Sequence, residues 1–244
     1  VHKLAESDGL MFADLNTPVV ASLQKAKDLD PALAVKLLPD RVHPSPGGHL
    51  LMAAALLKAW NAPALVTDVE IDGAAGSLRH AENSAVTAVS LANGTLSWTE
   101  LDGALPMPLD PKDPLLALAL RSSDFVDTLD REPLRVTGLT GGSYQLSIDG
   151  EPVGTFSNTQ FADGINLATL PTPMAEQAAQ VHALTLKHND IHNTGWHTAV
   201  SLEKEPLTTL AAAAEAFDRL DAELVSDQRL TAQPKPHRFE LARQ

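Results

Sequence analysis

The stretch Asp40-Arg-Val-His-Pro-Ser-Pro-Gly-Gly-His49 decides how the first part of this chain is interpreted. An acid stands three residues before His43, and a proline restricts the backbone directly after the histidine. Pro46 opens an apolar run over 47–61, and a proline in the first turn, with Ser45 before it as N-cap, predicts a helix start. The acid can accept a hydrogen bond from one imidazole nitrogen and leave the other free as a base. For an isolated Asp-x-x-His, the alternative is a solvated loop whose histidine only caps or packs.

The fuller pattern, Asp-x-x-His-Pro-x-x-x-Gly-His followed by an Ala/Leu-rich helix, resembles the last conserved block of the SGNH (GDSL-type) hydrolases. The resemblance takes in the upstream stretch Asp8-Gly-Leu-Met-Phe-Ala-Asp-Leu15, and so it covers residues 1–62. It implies a flavodoxin-like α/β fold and ester hydrolysis by a Ser-His-Asp triad. Carried over to this sequence, His43 would be the general base and Asp40 its orienting acid.

The nucleophile of that family is missing from this stretch. Its Gly-Asp-Ser block, and the blocks with the oxyanion-hole Gly and Asn, lie well upstream of Asp-x-x-His, whereas only 39 residues precede Asp40 and none of them forms Gly-Asp-Ser. The Gly-x-Ser-x-Gly elbow of other serine hydrolases is absent as well. We therefore expect the C-terminal part of a longer hydrolase, in which another serine must replace the missing one. The candidates are Ser45, Ser7 and Ser22, or a serine of a second copy of the chain.

The amino-acid composition limits the classes of partner and of site that the chain can have. An apolar share of 44% with 20% charged residues is typical of a globular protein, and the net charge of −13 argues against nucleic acid or an anionic membrane as partner. With no cysteine there can be no disulfide, thiol nucleophile or thiolate metal site. We expect neither a membrane span nor a signal peptide, and the compartment stays open.

Three segments are predicted, which together give the class α+β. Residues 1–62 form the end of the α/β hydrolase domain, with a buried strand over 9–15, a helix from Asn16 to about Asp30, and the loop and helix of the motif. Residues 63–170 form a β-rich, mainly antiparallel region. Residues 171–244 form a helical hairpin followed by a tail.

In the β-rich region, hairpin turns are expected at 72–73, 93–94 and 149–150, where Asp-Gly or Asn-Gly interrupts alternating sequence. The predicted strands are 65–71, 84–91, 95–101, 134–139, 144–148 and 152–156. The tract 106–114 carries prolines at 106, 108, 111 and 114 and predicts an extended connector. Residues 115–130 favour a helix.

In the last segment, apolar residues at helical spacing predict two antiparallel helices, the first from Thr172-Pro173 and the second after Gly195 and Pro206. The tail 233–237 is expected to leave the fold. His188 and His192 have the i, i+4 spacing that can place two imidazoles on a metal. No glutamate of the His-Glu-x-x-His kind lies between them, and Asp190 points to a different face, so exposed or packed histidines without metal or cofactor are the preferred interpretation.

Three hypotheses of different class follow. The chain is an esterase acting on a small ester, such as an acylated sugar, and it assembles as a homo-oligomer because an incomplete sheet has open edges. Alternatively, it is a catalytically inactive hydrolase fragment that self-associates. The third hypothesis is a carbohydrate-binding or interaction module, in which Trp98 and Trp196 could line a sugar surface or simply anchor the core, with the Asp/His loop as a relic.

Overall fold

The computed structural model describes residues 1–110, 112–204 and 208–244. Its mixed composition of helices and two sheets confirms the class α+β. The helices are α1 (His2–Asp8), α2 (Asn16–Leu29), α3 (Pro31–Leu37), α4 (Pro46–Ala59), α5 (Pro114–Ser122), α6 (Phe125–Leu129), α7 (Asn158–Asp163), α8 (Pro173–Lys204) and α9 (Thr208–Thr231). The strands are β1 (Asp68–Asp72), β2 (Ser77–Glu82), β3 (Ser84–Ala92), β4 (Thr95–Asp102), β5 (Pro133–Thr137), β6 (Ser143–Ile148), β7 (Glu151–Ser157), β8 (Ile165–Asn166) and β9 (Pro236–Arg243).

Helices α2, α3 and α4 pack together with α5, which comes from much later in the chain. Each of α3 and α5 begins with a proline after an aspartate whose side chain accepts hydrogen bonds from the first turn, as the N-cap rule predicts. The buried side chains between these helices are small or aliphatic: Ala26, Ala34, Leu37, Leu51, Leu118 and Ala119. This small core fixes the ends of α3 and α4 between which the Asp40–His43 loop runs.

The strand predicted over 9–15 is wrong. These residues adopt no regular structure, and Leu10 and Met11 are among the exposed apolar side chains. A strand needs a neighbour to accept its backbone hydrogen bonds, and in the described structure the first strand that begins is β1, at Asp68. A flavodoxin-like sheet is therefore not seen within 1–62, where all the regular elements described are helices.

The remaining strands form two sheets with the orders β2-β1-β5-β8 and β3-β4-β9-β6-β7. The hairpins predicted at 72–73, 93–94 and 149–150 are confirmed as β1–β2, β3–β4 and β6–β7. All the named strand pairs are antiparallel, as expected, except β1–β5, which is parallel. Parallel strands need a long crossover connection, and the chain between β1 and β5 supplies one that includes α5 and α6. Both sheets contribute to one apolar core, in which Trp98 stacks on Phe239 with ring centroids 5.1 Å apart.

The prediction that the tail 233–237 leaves the fold is wrong. Residues 236–243 form β9, which pairs with β4 on one side and β6 on the other, in the centre of the five-stranded sheet. Its alternating residues His237, Phe239 and Leu241 are buried. The prolines of 233–237 indicated a loop, but one of them occupies the first strand position, which tolerates proline.

The helical hairpin and the helix over 115–130 are confirmed, the latter as α5 and α6. The predicted break at Gly195 is wrong, because α8 continues to Lys204. A Cβ at Gly195 would lie 3.0 Å from the Cβ of Phe217, so the glycine allows α8 and α9 to approach closely. Pro206, and Pro111 of the predicted connector, lie outside the described residues. Of the described helices, none combines the length and apolarity needed to cross a bilayer.

One end of the shared core is lined by carboxyl groups. Along β4, the buried side continues from Trp98 to Glu100 and Asp102, and Glu132 is fully buried directly before β5. Burial and the nearby Asp102 carboxylate raise the pKa of Glu100 to about 8. Burial, together with the nearby carboxyl groups of Asp102 and Glu100, raises the pKa of Glu132 well above its usual range. These side chains therefore hold protons in the folded protein at pH values where an exposed glutamate is ionised.

We expect the free energy of unfolding to fall as the pH rises from about 5 to about 8. Glu100 keeps its proton in the folded state up to about pH 8, whereas in the unfolded chain it loses it near 4.5. The folded state thus binds more protons in this window, and stability decreases with pH. Urea unfolding at several pH values measures the slope. Glu100→Gln should flatten it, and the exposed control Glu151→Gln should not; an unchanged slope in Glu100→Gln would contradict this account.

Candidate active site

The Asp40–His43 loop is anchored to the helix before it and the helix after it. The Arg41 amide donates to the carbonyl of Leu38 (3.2 Å), and the Ser45 amide donates to the carbonyl of Leu37 (3.0 Å). The Ser45 hydroxyl accepts a hydrogen bond from the Gly48 amide (3.3 Å), which confirms Ser45 as the N-cap of α4. Backbone hydrogen bonds at both ends therefore hold the loop in one conformation.

Gly47 and Gly48 allow this loop to sit where it does. A Cβ at Gly47 would lie 2.5 Å from the carbonyl oxygen of Leu115 in α5. A Cβ at Gly48 would lie 2.8 Å from the Cβ of Pro44, and still closer to the carbonyl oxygen of Leu37. Glycine in a helix costs roughly 1 kcal/mol relative to alanine. The close approach of α4 to α3 and α5 explains why two glycines are used here in spite of that cost.

The backbone of the loop turns at Arg41, which has a positive φ of 65°. This left-handed conformation is unusual for a residue other than glycine, and it is a feature found often at functional sites. It brings the Val42 and His43 amides within hydrogen-bond distance of Asp40 Oδ1, at 2.9 and 2.7 Å. One carboxylate oxygen of Asp40 is thus fully used in fixing the turn.

The second oxygen of Asp40 holds the imidazole of His43. Its Oδ2 lies 2.6 Å from His43 Nδ1, and this contact, followed by the two backbone hydrogen bonds, lowers the pKa of Asp40 to about 2. A carboxylate acceptor at Nδ1 places the proton on that nitrogen and leaves the lone pair on Nε2. The His43 side chain is 83% exposed, so Nε2 is open to a molecule arriving from outside.

None of the three predicted serines makes a hydrogen bond to this nitrogen in the described structure. The Ser45 hydroxyl is occupied at the N-terminus of α4, and that of Ser7 donates to the carbonyl of Leu4 in α1. Ser22 is half-buried on α2. No serine hydroxyl of the described residues makes a hydrogen bond to His43. The dyad is therefore assembled as expected, while the nucleophile role of each serine stays a prediction.

A second histidine–aspartate pair was missed by sequence reasoning. His237 Nδ1 lies 2.6 Å from Asp149 Oδ2, the same length as in the first pair. Its side chain is only 9% exposed, and its Nε2 is buried without a hydrogen-bond partner in the described structure. The two residues lie 88 positions apart, so no local motif could have revealed them. Because substrate cannot reach a buried nitrogen, exposure distinguishes His43 as the candidate base.

The segment that carries the dyad exposes many large apolar side chains. Most of the large apolar side chains that are exposed in the described structure belong to residues 1–62: Val1, Leu4, Leu10, Met11, Phe12, Val20, Leu29, Val35, Val42, Met52 and Trp60. Val42 is in the loop itself. Where such side chains form a contiguous patch, they are typical of regions that contact another polypeptide or a ligand.

Comparisons with known proteins identify the fold. Neither a protein-family model nor a curated protein matches the sequence. A solved structure described as BT4096, a gut microbial diltiazem-metabolizing enzyme, matches with a TM-score of 0.82 and 24% identity, over 100% of this chain and 64% of that one. The chain thus spans less than two thirds of the length of that enzyme. The likeness shows that this arrangement of helices and sheets occurs as part of an enzyme.

We expect Gly48→Ala to destabilise the protein by about 2 kcal/mol, because overpacking against backbone atoms of α3 has few ways to relax. Gly141→Ala is the matched control, since a Cβ there meets nothing within 4 Å, and it should change the free energy of unfolding by less than about 0.5 kcal/mol. Urea denaturation of both variants measures the difference. Equal stability of the two variants would contradict the role given to the glycine.

Proposed function

We propose that this chain carries the general base and the orienting acid of an ester hydrolase that works by a Ser-His-Asp mechanism, of the SGNH type. His43 is the base and Asp40 the acid. The observation that carries the proposal is the contact of 2.6 Å between Asp40 Oδ2 and His43 Nδ1, which leaves the opposite ring nitrogen exposed. The positive φ of Arg41 and the glycine pair of α4 support it, since both serve to hold this loop in place.

In the proposed reaction, His43 Nε2 takes the proton of a serine hydroxyl while the serine oxygen attacks the ester carbonyl. The Asp40 carboxylate stabilises the imidazolium that forms. His43 then gives the proton to the leaving alcohol, and an acyl-enzyme remains. In the second half of the reaction His43 removes a proton from water while the water oxygen attacks the acyl carbonyl; the bond to the serine oxygen then breaks, the carboxylic acid leaves, and the His43 imidazolium returns its proton to the serine.

The serine itself is proposed to come from polypeptide that packs on the exposed apolar side chains of residues 1–62. That polypeptide is either a further part of a longer protein or a second copy of the chain. The exposure of His43 supports this, and so does the exposure of apolar side chains of the same segment, such as Leu10, Met11 and Val42, because exposed apolar side chains are suited to being covered. The coverage of only 64% of the enzyme of like fold also leaves room for a further segment.

The substrate class we propose is a small carboxylic ester, such as an acylated sugar. The enzyme of like fold metabolises diltiazem, and this drug is therefore a reasonable second test substrate for the present chain. The net charge of −13 disfavours anionic substrates that bind through the general field of the protein.

His43→Ala is expected to reduce hydrolysis of p-nitrophenyl acetate by about 10²–10⁴-fold, the usual effect of losing a general base. The matched control is His49→Ala. It removes an exposed histidine from the first turn of α4, the helix that follows the loop, and should leave the rate of hydrolysis unchanged. Both variants are assayed in the protein expressed from its complete gene and in residues 1–244 alone. Hydrolysis by 1–244 alone would point to an internal serine or a second copy, and hydrolysis only by a longer protein would point to a further segment.

Two outcomes would overturn the proposal: turnover that His43→Ala leaves unchanged, or the absence of turnover from every form of the protein. In the latter case, self-association without labelling by a serine-directed phosphonate would favour the inactive-fragment hypothesis. Retention on polysaccharide would favour the binding module.

A further inference from the structure

Two histidines and one aspartate converge where α8 and α9 lie side by side. His188 and His192 are one turn apart on α8, with their rings stacked at a centroid distance of 5.9 Å. Asp221 faces them from α9. The i, i+4 pair is visible in the sequence, but its third member comes from the other helix, which is why the sequence alone offered no carboxylate for it.

The distances between their polar atoms are short. His188 Nε2 lies 2.9 Å and His192 Nδ1 3.6 Å from the same oxygen, Asp221 Oδ1. The three possible ligand atoms lie within 4.8 Å of one another. Donor atoms around a tetrahedral zinc ion, each at roughly 2.0–2.1 Å from the metal, stand roughly 3.3–3.5 Å apart. Small rotations of the side chains would therefore suffice to place the three atoms around one ion.

The shared oxygen gives an independent indication. Asp221 Oδ1 is buried, and it accepts no hydrogen bond from the described residues even though two ring nitrogens are near it. In an ordinary histidine–aspartate pair, such as Asp40 with His43, the ring nitrogen and the oxygen form a hydrogen bond of 2.6 Å. Here His188 Nε2 lies 2.9 Å from the oxygen but makes no hydrogen bond to it, and His192 Nδ1, at 3.6 Å, is too far away to make one. A buried carboxylate oxygen that lies close to two ring nitrogens and still lacks a hydrogen bond is what a metal site without its ion would show.

A cleft adjoins the cluster. It has a volume of about 230 Å³, and its lining includes His192, Asp221, Trp196 and Phe217. The His192 side chain is 68% exposed, so the cluster is open on this side. The glycine contact between α8 and Phe217 keeps the two helices close at the same level. A metal held by three protein atoms would thus keep a coordination position accessible from the cleft.

We propose that His188, His192 and Asp221 bind one divalent transition-metal ion across the helical hairpin, with an open coordination position directed to the cleft. Two imidazoles with a carboxylate favour Zn²⁺ over Ca²⁺ or Mg²⁺, which prefer oxygen ligands. The ion links α8 to α9, and the open position takes water or a small Lewis base such as a carboxylate. This site uses none of the residues of the proposed esterase dyad.

The test uses the protein without an affinity tag, freed of metal with a chelator. Titration with Zn²⁺ in a calorimeter should give one ion per chain with a micromolar or lower Kd. Co²⁺ should give the visible absorption bands of a low-symmetry site, a signal that does not depend on any activity. Zn²⁺ should also raise the unfolding temperature, because an ion that binds only the folded state stabilises it.

His192→Ala and Asp221→Asn should each weaken Zn²⁺ binding by about 100-fold or more, since even a change to a residue that only orients a ligand costs about 10–100-fold. The matched controls are His182→Ala and His197→Ala, which remove exposed histidines from the same helix and should leave the Kd unchanged. Circular dichroism verifies that each variant is folded. Millimolar affinity in the wild type, or equal loss in the controls, would show adventitious binding to surface histidines and overturn the proposal.

Discussion

The first turn of α4 is in direct contact with the backbone of α3 and α5, and this contact determines the geometry of the candidate active site. Gly47 and Gly48 leave no room for a side chain between these helices. Because α4 can come so near, the loop before it is short and is held by backbone hydrogen bonds to Leu37 and Leu38. A loop fixed in this way holds its carboxylate and imidazole together even though both side chains are well exposed to solvent. Rigidity here comes from the backbone rather than from burial.

Local sequence predicted the parts of the structure that local interactions determine. The helix after Ser45, the hairpins at Asp-Gly and Asn-Gly, and the pairing of Asp40 with His43 all depend on residues a few positions apart. The interactions that sequence reasoning missed join distant residues. His237 of β9 meets Asp149 in the turn after the neighbouring strand β6, and Asp221 meets His188 across the helical hairpin. Without a partner segment in view, a strand-like run such as 9–15 could not be distinguished from an exposed loop.

The proposed base and the proposed metal site illustrate two ways of positioning histidines. His43 is oriented by an acid three residues away, within a single turn of backbone. His188 and His192 are placed by the regular spacing of a helix, and their acid comes from the neighbouring helix. The first arrangement is retained as long as the loop keeps its shape. The second depends on the register of two helices, so a sliding of α8 along α9 would separate its members.

The central place of β9 in its sheet has a consequence for how the protein is made. The β3–β4 hairpin and the β6–β7 hairpin precede it in the chain, and neither pairs directly with the other. Each leaves one side of its inner strand without a partner until residues 236–243 are inserted between them. During synthesis by the ribosome, α8 and α9 are translated before β9. Until then the two hairpins keep apolar faces and backbone groups without partners. Over that interval the nascent polypeptide is open to misassembly and to capture by chaperones.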